Sequence, residues 1–346
     1  MSDSTIVSLV SAQFDVCSAV AAAMEAAGWR AAIPRGAPVA IKPNLGWDLF
    51  LPGAVTSPRV VEGVIRVLQG WAGEVYLVEA DQVLVRCERA LRQTRMDRLC
   101  ARYGVTWINL SQAPFVRVLV PDPLALDQLE LPELLTRAHL ITVPVMKTHN
   151  KTVITGAIKN QWGCLPTFRH NFHPIVHEVL RDLSRVLRPA FAVMDATVAL
   201  EGDAPKSGRP RICDLVLASR DPVALDTIAS EIMALDDRPI RYLDLCARDG
   251  VGVRDRARIQ VVGEKGAPWN ALPRLAFAPA RSNLISRVEE RLRSSALHRL
   301  AFEGPLLRFF CTGARFWYFL WYYLGRGRRL RERVMKTYAH ADQWRA

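Results

Sequence analysis

Short apolar runs of strand length alternate with helical segments through residues 1–265. Such runs occur at residues 6–10, 38–42 and 74–78, and a helical pattern with capping or helix-forming residues lies between each pair. Two adjacent parallel strands need a crossover connection, which is usually a helix. The order therefore predicts an α/β fold of doubly wound type, with a mostly parallel sheet and helices on both faces.

The remaining elements continue this alternation. Strands are also predicted at residues 105–110, 139–145, 191–196, 213–219 and 259–262. Helices are predicted at residues 14–29, 58–68, 89–103, 174–187, 222–235 and 241–248. Residues 115–120 and 126–131 interrupt the pattern, and we expect them to form a small hairpin or an edge pair.

Positive charge is concentrated in the C-terminal part of the chain. Residues 266–346 carry fifteen Lys and Arg against five Asp and Glu, so they hold +10 of the net charge of +12. We therefore expect two parts, an α/β domain at 1–265 and a basic, aromatic-rich helical extension at 266–346. Because the first part is nearly neutral, we do not expect it to bind nucleic acid.

The extension has a helical pattern at residues 283–300 and 305–336. Nine apolar residues at 316–324 include seven aromatic ones, and arginines flank them. A membrane-spanning helix needs about 20 such residues, so this segment is too short to cross a bilayer. It suits an interfacial helix on an anionic membrane surface, through residues 305–333. The alternatives are packing on the body of the protein or on a second subunit of a homo-oligomer.

Seven cysteines are scattered without a Cys-x-x-Cys pair, so no iron–sulfur cluster is expected. Free thiols and an N-terminus without a basic region predict a cytoplasmic protein, with attachment to the inner membrane face as an option. No glycine-rich dinucleotide fingerprint or Walker A loop is present, so a classical nucleotide site is not expected.

The candidate site centres on residues 138–166, where an apolar run leads into a polar cluster. Ligands of open parallel sheets bind in the crevice beyond the carboxyl ends of the strands. We expect polar residues at several strand ends to meet there. Candidate catalytic residues are Lys147, His149, Lys159 and Asn160, with His149 or Lys159 as the acid–base group. Candidate substrate-binding residues are Lys42, Asn44, Thr155, Gly163 and Gly202.

A set of acidic residues and histidines completes the candidate site. The carboxylates would balance the lysines or, with a histidine, hold a divalent metal. These residues are Glu79, Asp81, Asp195, Glu201 and His173. His173 also belongs to a run with His170 and His177, whose members could instead be helix caps or surface residues. Asp221 precedes a proline at a predicted helix start, which favours a capping role.

Several motifs occur together in a recognisable order. They are Lys42-Pro43-Asn44, Lys147-x-His149, Thr155-Gly156-Ala157-x-Lys159-Asn160-x-x-Gly163, Asp195, Glu201-Gly202 and Ser219-Arg220-Asp221-Pro222-Val223-Ala224-Leu225-Asp226. Over about residues 36–263 the chain resembles the prokaryotic family catalogued as domain of unknown function 362. The resemblance supports the site and leaves the reaction open. Many relatives carry ferredoxin-like cysteine clusters, and this chain departs from them in having none.

Three functional hypotheses follow. The first is an enzyme that acts on a small anionic carboxylate or phosphate, with lysines that bind the anion. The second is a non-catalytic binding or assembly protein that the extension recruits to a membrane surface. The third, an iron–sulfur electron carrier, is disfavoured by the cysteine spacing. An enzyme should have a closed, lysine-lined pocket, whereas a recruitment module could have a filled crevice and an exposed aromatic patch.

Overall fold

The central sheet is mixed but mostly parallel. The computed structural model describes residues 4–269, 271–281, 284–293, 295, 302 and 306–345. Within these residues the strands are β1 (Thr5–Ser11), β2 (Val39–Pro43), β3 (Val75–Glu79), β4 (Thr106–Asn109), β5 (Phe115–Leu119), β6 (Gln128–Pro132), β7 (His139–Val143), β8 (Val145–His149), β9 (Val153–Thr155), β10 (Phe191–Glu201), β11 (Arg209–Ser219) and β12 (Ile259–Val262).

Ten of these strands form one sheet in the order β12-β1-β11-β10-β7-β2-β3-β4, with β8 beside β10 and β9 beside β8. Strand β11 runs antiparallel to both β1 and β10, and β9 runs antiparallel to β8. The pairs that join β10, β7, β2, β3 and β4 are all parallel. The predicted fold class is confirmed. The predicted hairpin is also confirmed, since β5 and β6 form a separate antiparallel pair.

The helices of the described residues lie between and after the strands. They are α1 (Val16–Ala26), α2 (Pro58–Leu68), α3 (Cys87–Gln93), α4 (Met96–Tyr103), α5 (Leu134–Arg137), α6 (Ala157–Asn160), α7 (Val176–Val186), α8 (Pro222–Ile232), α9 (Arg241–Arg248), α10 (Leu284–Arg293), α11 (Leu306–Tyr323) and α12 (Arg326–Thr337). Of the predicted helix at 283–300, residues 294 and 296–300 lie outside the described part of the chain.

Two predicted elements are divided in the structure. The helix expected at 89–103 is two helices, because Arg95 has a left-handed backbone with φ of 66° between α3 and α4. The strand expected at 139–145 is β7 followed by β8, with Pro144 between them. Proline cannot donate a backbone hydrogen bond, so it interrupts the pairing of a strand. The polar cluster that was expected after the strand therefore lies partly on β8 itself.

The start of α8 follows from a short polar side chain placed before a proline. Asp221 accepts hydrogen bonds from the backbone N–H groups of Val223 and Ala224, at 2.8 and 3.0 Å. These N–H groups have no partner inside the helix, so the side chain satisfies them. The capping role expected of Asp221 is confirmed.

Alternate residues of each central strand belong to different hydrophobic clusters. On β2, Ala40 joins one cluster, whereas Val39 and Ile41 join the other. Because successive side chains of a strand point to opposite faces, the two clusters lie on opposite faces of the sheet. Helices α7, α8 and α9 contribute to the first cluster, and α1 and α2 contribute to the second.

The C-terminal extension packs on the body of the protein through part of its surface. Tyr318 and Tyr322 of α11 and Leu330 of α12 join the same cluster as α1 and α2. The hydroxyl of Tyr322 donates a hydrogen bond to the carbonyl of Phe50 at 2.6 Å. Two helices replace the single one expected at 305–336, and Gly325 lies between them. No helix in the described residues has the length and apolar character needed to cross a membrane.

We predict that Tyr322→Ala lowers the free energy of unfolding by about 3 kcal/mol, because it empties a buried aromatic site and removes a hydrogen bond. Phe316→Ala, on the exposed side of the same helix, is the matched control, with an expected change within about 0.5 kcal/mol. Urea unfolding followed by tryptophan fluorescence measures both. Equal effects of the two substitutions would show that α11 does not pack as described.

Candidate functional site

A cavity of about 510 Å³ lies beyond the carboxyl ends of β2 and β3, beside β8. The sheet edge and α6 supply polar side chains to it, and the C-terminal extension covers it. The basic side chains in its wall outnumber the acidic ones among the described residues. They are Lys42, Lys147, Lys159, Arg169, Lys206 and Arg293, against Glu79 and Glu289.

A buried ion pair joins the ends of β2 and β3. Lys42 Nζ lies 2.9 Å from Glu79 Oε1, and both side chains are almost completely buried. Glu79 also accepts a hydrogen bond from the backbone N–H of Leu45 at 3.0 Å. Gly163 packs against this pair, since a Cβ atom added there would lie 2.8 Å from both Glu79 Oε1 and Lys42 Nζ. Gly163, which was expected to bind substrate, thus also has a steric role beside the ion pair.

Two asparagines and a lysine form a hydrogen-bonded chain next to the ion pair. Asn44 Nδ2 donates to Asn160 Oδ1 at 3.1 Å, and Lys147 Nζ donates to Asn44 Oδ1 at 2.9 Å. Asn160 Nδ2 donates in turn to the carbonyl of Lys42 at 3.1 Å and to Thr142 Oγ1 at 2.9 Å. Side chains from β2, β8 and α6 are therefore held in one arrangement.

Lys147 and Lys159 are buried lysines without an acidic partner among the described residues. Burial, and then the neighbouring Lys206, lowers the pKa of Lys147 to about 7. Burial, followed by the charges of Arg169 and Lys147, lowers the pKa of Lys159 to about 7 as well. The Lys159 Nζ atom lies 4.9 Å from the centre of the Trp162 ring. Each amine can therefore gain or lose a proton near neutral pH.

The short helix α6 carries Lys159 and Asn160, and Asp226 holds its start. Asp226 accepts hydrogen bonds from the backbone N–H groups of Ala157 and Ile158, at 2.6 and 3.1 Å. Gly156 leaves room for this carboxylate, because an added Cβ atom would lie 2.1 Å from Asp226 Oδ1. Burial raises the pKa of Asp226 to about 7. Asp226 thus positions the two site residues from behind the cavity wall.

His149 and His173 both line the cavity. The Nδ1 atom of His149 accepts backbone hydrogen bonds from Lys151 at 3.0 Å and from Thr152 at 3.3 Å. The neutral ring therefore carries its proton on Nε2. Burial, and then the charge of Lys159, lowers the pKa of His149 well below its usual value. The same two causes lower the pKa of His173 to about 3. Both rings are neutral at physiological pH.

The hydroxyl of Thr155 is buried in the cavity wall without a hydrogen-bond partner among the described residues. An unsatisfied buried hydroxyl is costly, and a bound polar ligand could supply the missing partner. Thr155 lies opposite Lys147 in the antiparallel pairing of β8 with β9, so the two are held side by side by the backbone.

Most of the predicted site residues come together, but four do not line the cavity. Those that line it are Lys42, Asn44, Glu79, Lys147, His149, Thr155, Lys159, Asn160, Gly163 and His173. Asp81 instead accepts a hydrogen bond from the backbone of Cys87 and pairs with Arg86. Gly202 donates its N–H to the carbonyl of Ala278 and contributes no atom to the cavity wall.

Asp195 and Glu201 have structural partners of their own. Asp195 accepts a hydrogen bond from the backbone N–H of Ser57 at 2.7 Å, at the start of α2. Glu201 forms ion pairs with Arg209 and Arg211. Both residues lie on β10, and their carboxylates hold neighbouring elements in place rather than facing the cavity.

The proposed metal ligands are not gathered in one place. Among the described residues, no group of three or more His, Cys, Asp or Glu side chains could hold a metal ion. His177 stacks near Tyr242 at 6.2 Å between ring centres, away from the cavity lining. His170 does line the cavity, and its Nδ1 atom lies 3.3 Å from the carbonyl of Thr167.

Sequence reasoning missed several wall residues. Lys206 lies in the loop between β10 and β11, 5.1 Å from the ring centre of Trp47, and burial lowers its pKa to about 8. Arg169 donates hydrogen bonds to the carbonyls of Leu165 and Asp81, both at 2.8 Å. Both side chains lie close to motifs used in the sequence analysis, Arg169 after the stretch 138–166 and Lys206 after Glu201-Gly202, but neither was predicted as a site residue. The sequence analysis also did not predict that apolar side chains of α10 and α11 line the cavity.

A sequence model of the family described as "Domain of unknown function (DUF362)" matches residues 39–231, which is more than half of the chain. The chain belongs to the DUF362 family. The matched region of this DUF362 protein contains the polar residues of the α/β body that line the cavity, from Lys42 to Lys206. The C-terminal extension that covers the cavity lies outside it.

A curated relative of this DUF362 protein is the "Thylakoid-associated protein sll1697" of Synechocystis sp., which is 29% identical over 126 residues. The aligned segment covers 34% of this chain and 39% of the relative. Among solved structures, the lactate racemase apoprotein from Thermoanaerobacterium thermosaccharolyticum has 13% sequence identity and a TM-score of 0.37. That match covers 63% of this chain and 55% of the other.

We predict that Gly163→Ala lowers the free energy of unfolding by about 2 kcal/mol, because its Cβ atom would push apart the buried Lys42–Glu79 pair. Gly313→Ala is the control, since nothing lies within 4 Å of a Cβ atom added to that helical glycine. It should leave the stability unchanged or raise it by about 0.5–1 kcal/mol. Thermal unfolding of both variants is the measurement, and a harmless Gly163→Ala would contradict the close packing.

Proposed function

We propose that this protein is an enzyme that binds a carboxylate or phosphate anion in the cavity and moves a proton with Lys159. The observation that carries this proposal is the excess of buried positive charge. Glu79 is already paired with Lys42, and Glu289 lies 2.9 Å from Arg293.

The cations that remain have no ion-pair partner among the described residues. They are Lys147, Lys159, Arg169 and Lys206. Removing a charge from water without an opposite charge is expensive, and lysines respond by losing protons. A bound anion would offset this cost and raise the pKa of the lysines again. Binding of an anion would thus stabilise the charged forms of these buried side chains.

The two lowered lysine pKa values suit acid–base chemistry. A group whose pKa lies near the working pH can both accept and return a proton. We assign this role to Lys159, because Lys147 already donates hydrogen bonds to Asn44 Oδ1 and to the carbonyl of Ala54. His149 remains neutral and would donate a hydrogen bond from Nε2. Asn160 and Thr155 would orient the substrate.

We predict that Lys159→Met weakens the binding of sulfate at least tenfold at pH 6, because it removes one buried cation. Sulfate keeps its charge over the pH range used, so only protein groups titrate. Binding to the wild type should tighten as pH falls from 9 to 6, since amines with a pKa of about 7 take up protons in that interval. Isothermal titration calorimetry measures both effects.

The control for this experiment is Lys336→Met, which removes an exposed lysine outside the cavity wall. It should bind sulfate like the wild type and keep the same pH dependence. If Lys159→Met binds sulfate as tightly as the wild type and titrates in the same way, the assignment of Lys159 fails.

Attachment to a membrane surface is a second candidate function, and a specific feature of α11 favours it. Phe316 and Leu324 are 63% and 78% exposed, and they lie opposite the buried Tyr318 and Tyr322. Three exposed arginines follow at the start of α12, at positions 326, 328 and 329. An apolar face with basic residues beside it suits the surface of an anionic membrane. The name of the Synechocystis relative, a thylakoid-associated protein, agrees with this candidate.

We predict that the double variant Phe316→Asp/Phe319→Asp binds vesicles of phosphatidylcholine and phosphatidylglycerol at least tenfold more weakly than the wild type, because it places charge on the apolar face. Phe14→Asp is the control, since Phe14 is 90% exposed on the body of the protein. Vesicle co-sedimentation is the measurement. Unchanged binding of the double variant would rule out α11 as the attachment face.

A further inference from the structure

We infer that the ligand of the cavity is an amphipathic anion, with an acidic head group and an apolar chain. This inference rests on the proposed function and adds the substrate class. Its basis is that most polar side chains that line the cavity come from the α/β body, whereas most apolar ones come from the C-terminal extension.

The floor of the cavity is polar and comes from the sheet edge and α6. Lys147, Lys159, Asn160 and Thr155 all lie there, and they can bind an acidic group. The roof is apolar and comes mainly from the C-terminal extension. The described apolar residues of the extension that line the cavity include Val288, Leu292, Phe302, Leu307, Phe310 and Ala314. The loop after β3 contributes Val83 and Leu84 to the same wall.

The charged side chains of the roof form ion pairs, either with each other or with the body of the protein. Glu289 lies 2.9 Å from Arg293 and 3.5 Å from Lys151. The guanidinium of Arg293 also lies over the ring of Phe302, at 4.1 Å. The described residues of α10 and α11 that line the cavity therefore add no unpaired cation to it, and its unpaired cations come from the α/β body of the protein.

The size of the cavity argues against a small inorganic anion as the whole ligand. A volume of about 510 Å³ lies within the range of sites that enclose organic ligands of 300–1,000 Å³. A small anion on the lysines would leave the apolar wall facing water. An apolar chain attached to the anion would remove that surface from water, which is favourable in proportion to the area buried.

The cavity also reaches the exposed apolar face of α11. Phe309 lines the cavity and is 73% exposed, so the wall continues onto the protein surface at this residue. Phe316 and Phe319 continue the exposed face along the same helix. An amphipathic ligand could thus enter with its chain in contact with apolar side chains along its path.

A series of alkyl phosphates tests the inference on the full chain. Methyl, butyl, hexyl and octyl phosphate, each below its micelle concentration, are titrated by calorimetry. Each added methylene should tighten binding about fourfold until the chain fills the cavity. Octyl phosphate that binds no better than methyl phosphate would overturn the inference and leave the proposed anion site standing. Absence of binding by every member, and by sulfate, would overturn the proposed function itself.

Two kinds of variant separate the floor from the roof. Leu292→Gln should abolish most of the gain with chain length and leave methyl phosphate binding unchanged, and Leu84→Gln serves as a second roof variant. Leu124→Gln, at a half-exposed position away from the cavity, is the control. Lys159→Met should weaken all members alike. A chain-length gain that persists in both roof variants would overturn the inference.

A last measurement distinguishes a dissolved ligand from one held in a membrane. A fluorescent dodecyl phosphate is presented in phosphatidylcholine vesicles to the wild type and to Phe316→Asp/Phe319→Asp. We expect transfer to the wild type only, with equal binding of dissolved octyl phosphate by both proteins. Loss of octyl phosphate binding in the double variant would contradict the separate roles of the exposed face and the cavity.

Discussion

The buried ion pair between Lys42 and Glu79 is the interaction on which the site depends. It joins the ends of two neighbouring parallel strands, and it holds the backbone of Leu45 through Glu79. A charge pair taken out of water is stable only when its geometry is good and its other hydrogen bonds are made. Gly163 satisfies the steric side of this requirement, because only a residue without a Cβ atom leaves room for the pair.

The same pair also bears on the pKa values of the other lysines in the cavity. Glu79 forms its ion pair with Lys42, and its charge only partly offsets the burial that lowers the pKa of Lys147. The amines of Lys147 and Lys159 lie deep in the protein, and their pKa values fall to about 7. Asp226 brings Lys159 into this position by binding the start of α6 from behind, although it does not line the cavity itself. The position of Lys159 thus depends on a carboxylate that lies outside the cavity wall.

The C-terminal extension contributes to both structural features that the sequence analysis had treated as signs of alternative functions. Tyr318 and Tyr322 pack on the body, so part of the extension belongs to the core of the protein. The opposite side of α11 stays exposed and apolar, and residues of the same helix complete the cavity roof. A lysine-lined cavity and an exposed aromatic face were expected to distinguish an enzyme from a recruitment module. Both features occur together, and an amphipathic ligand would make use of both.

The sequence by itself determined the fold class and the polar floor of the site. Strand periodicity and capping patterns are local, and the carboxyl ends of parallel strands must meet at one edge, so residues such as Lys42 and Lys147 could be placed together. Tertiary structure alone decided which charged residues face the cavity. Asp195 accepts a hydrogen bond from Ser57 and Glu201 pairs with two arginines, so neither carboxylate lines the cavity. Lys206 and the apolar side chains of the roof line it instead. The contacts of Asp195 with Ser57 and of Lys206 with Trp47 join segments more than a hundred residues apart, and no local sequence pattern specifies such a partner. The arginines that pair with Glu201 are only eight and ten residues away, but their side-chain directions also depend on the packing around β10 and β11.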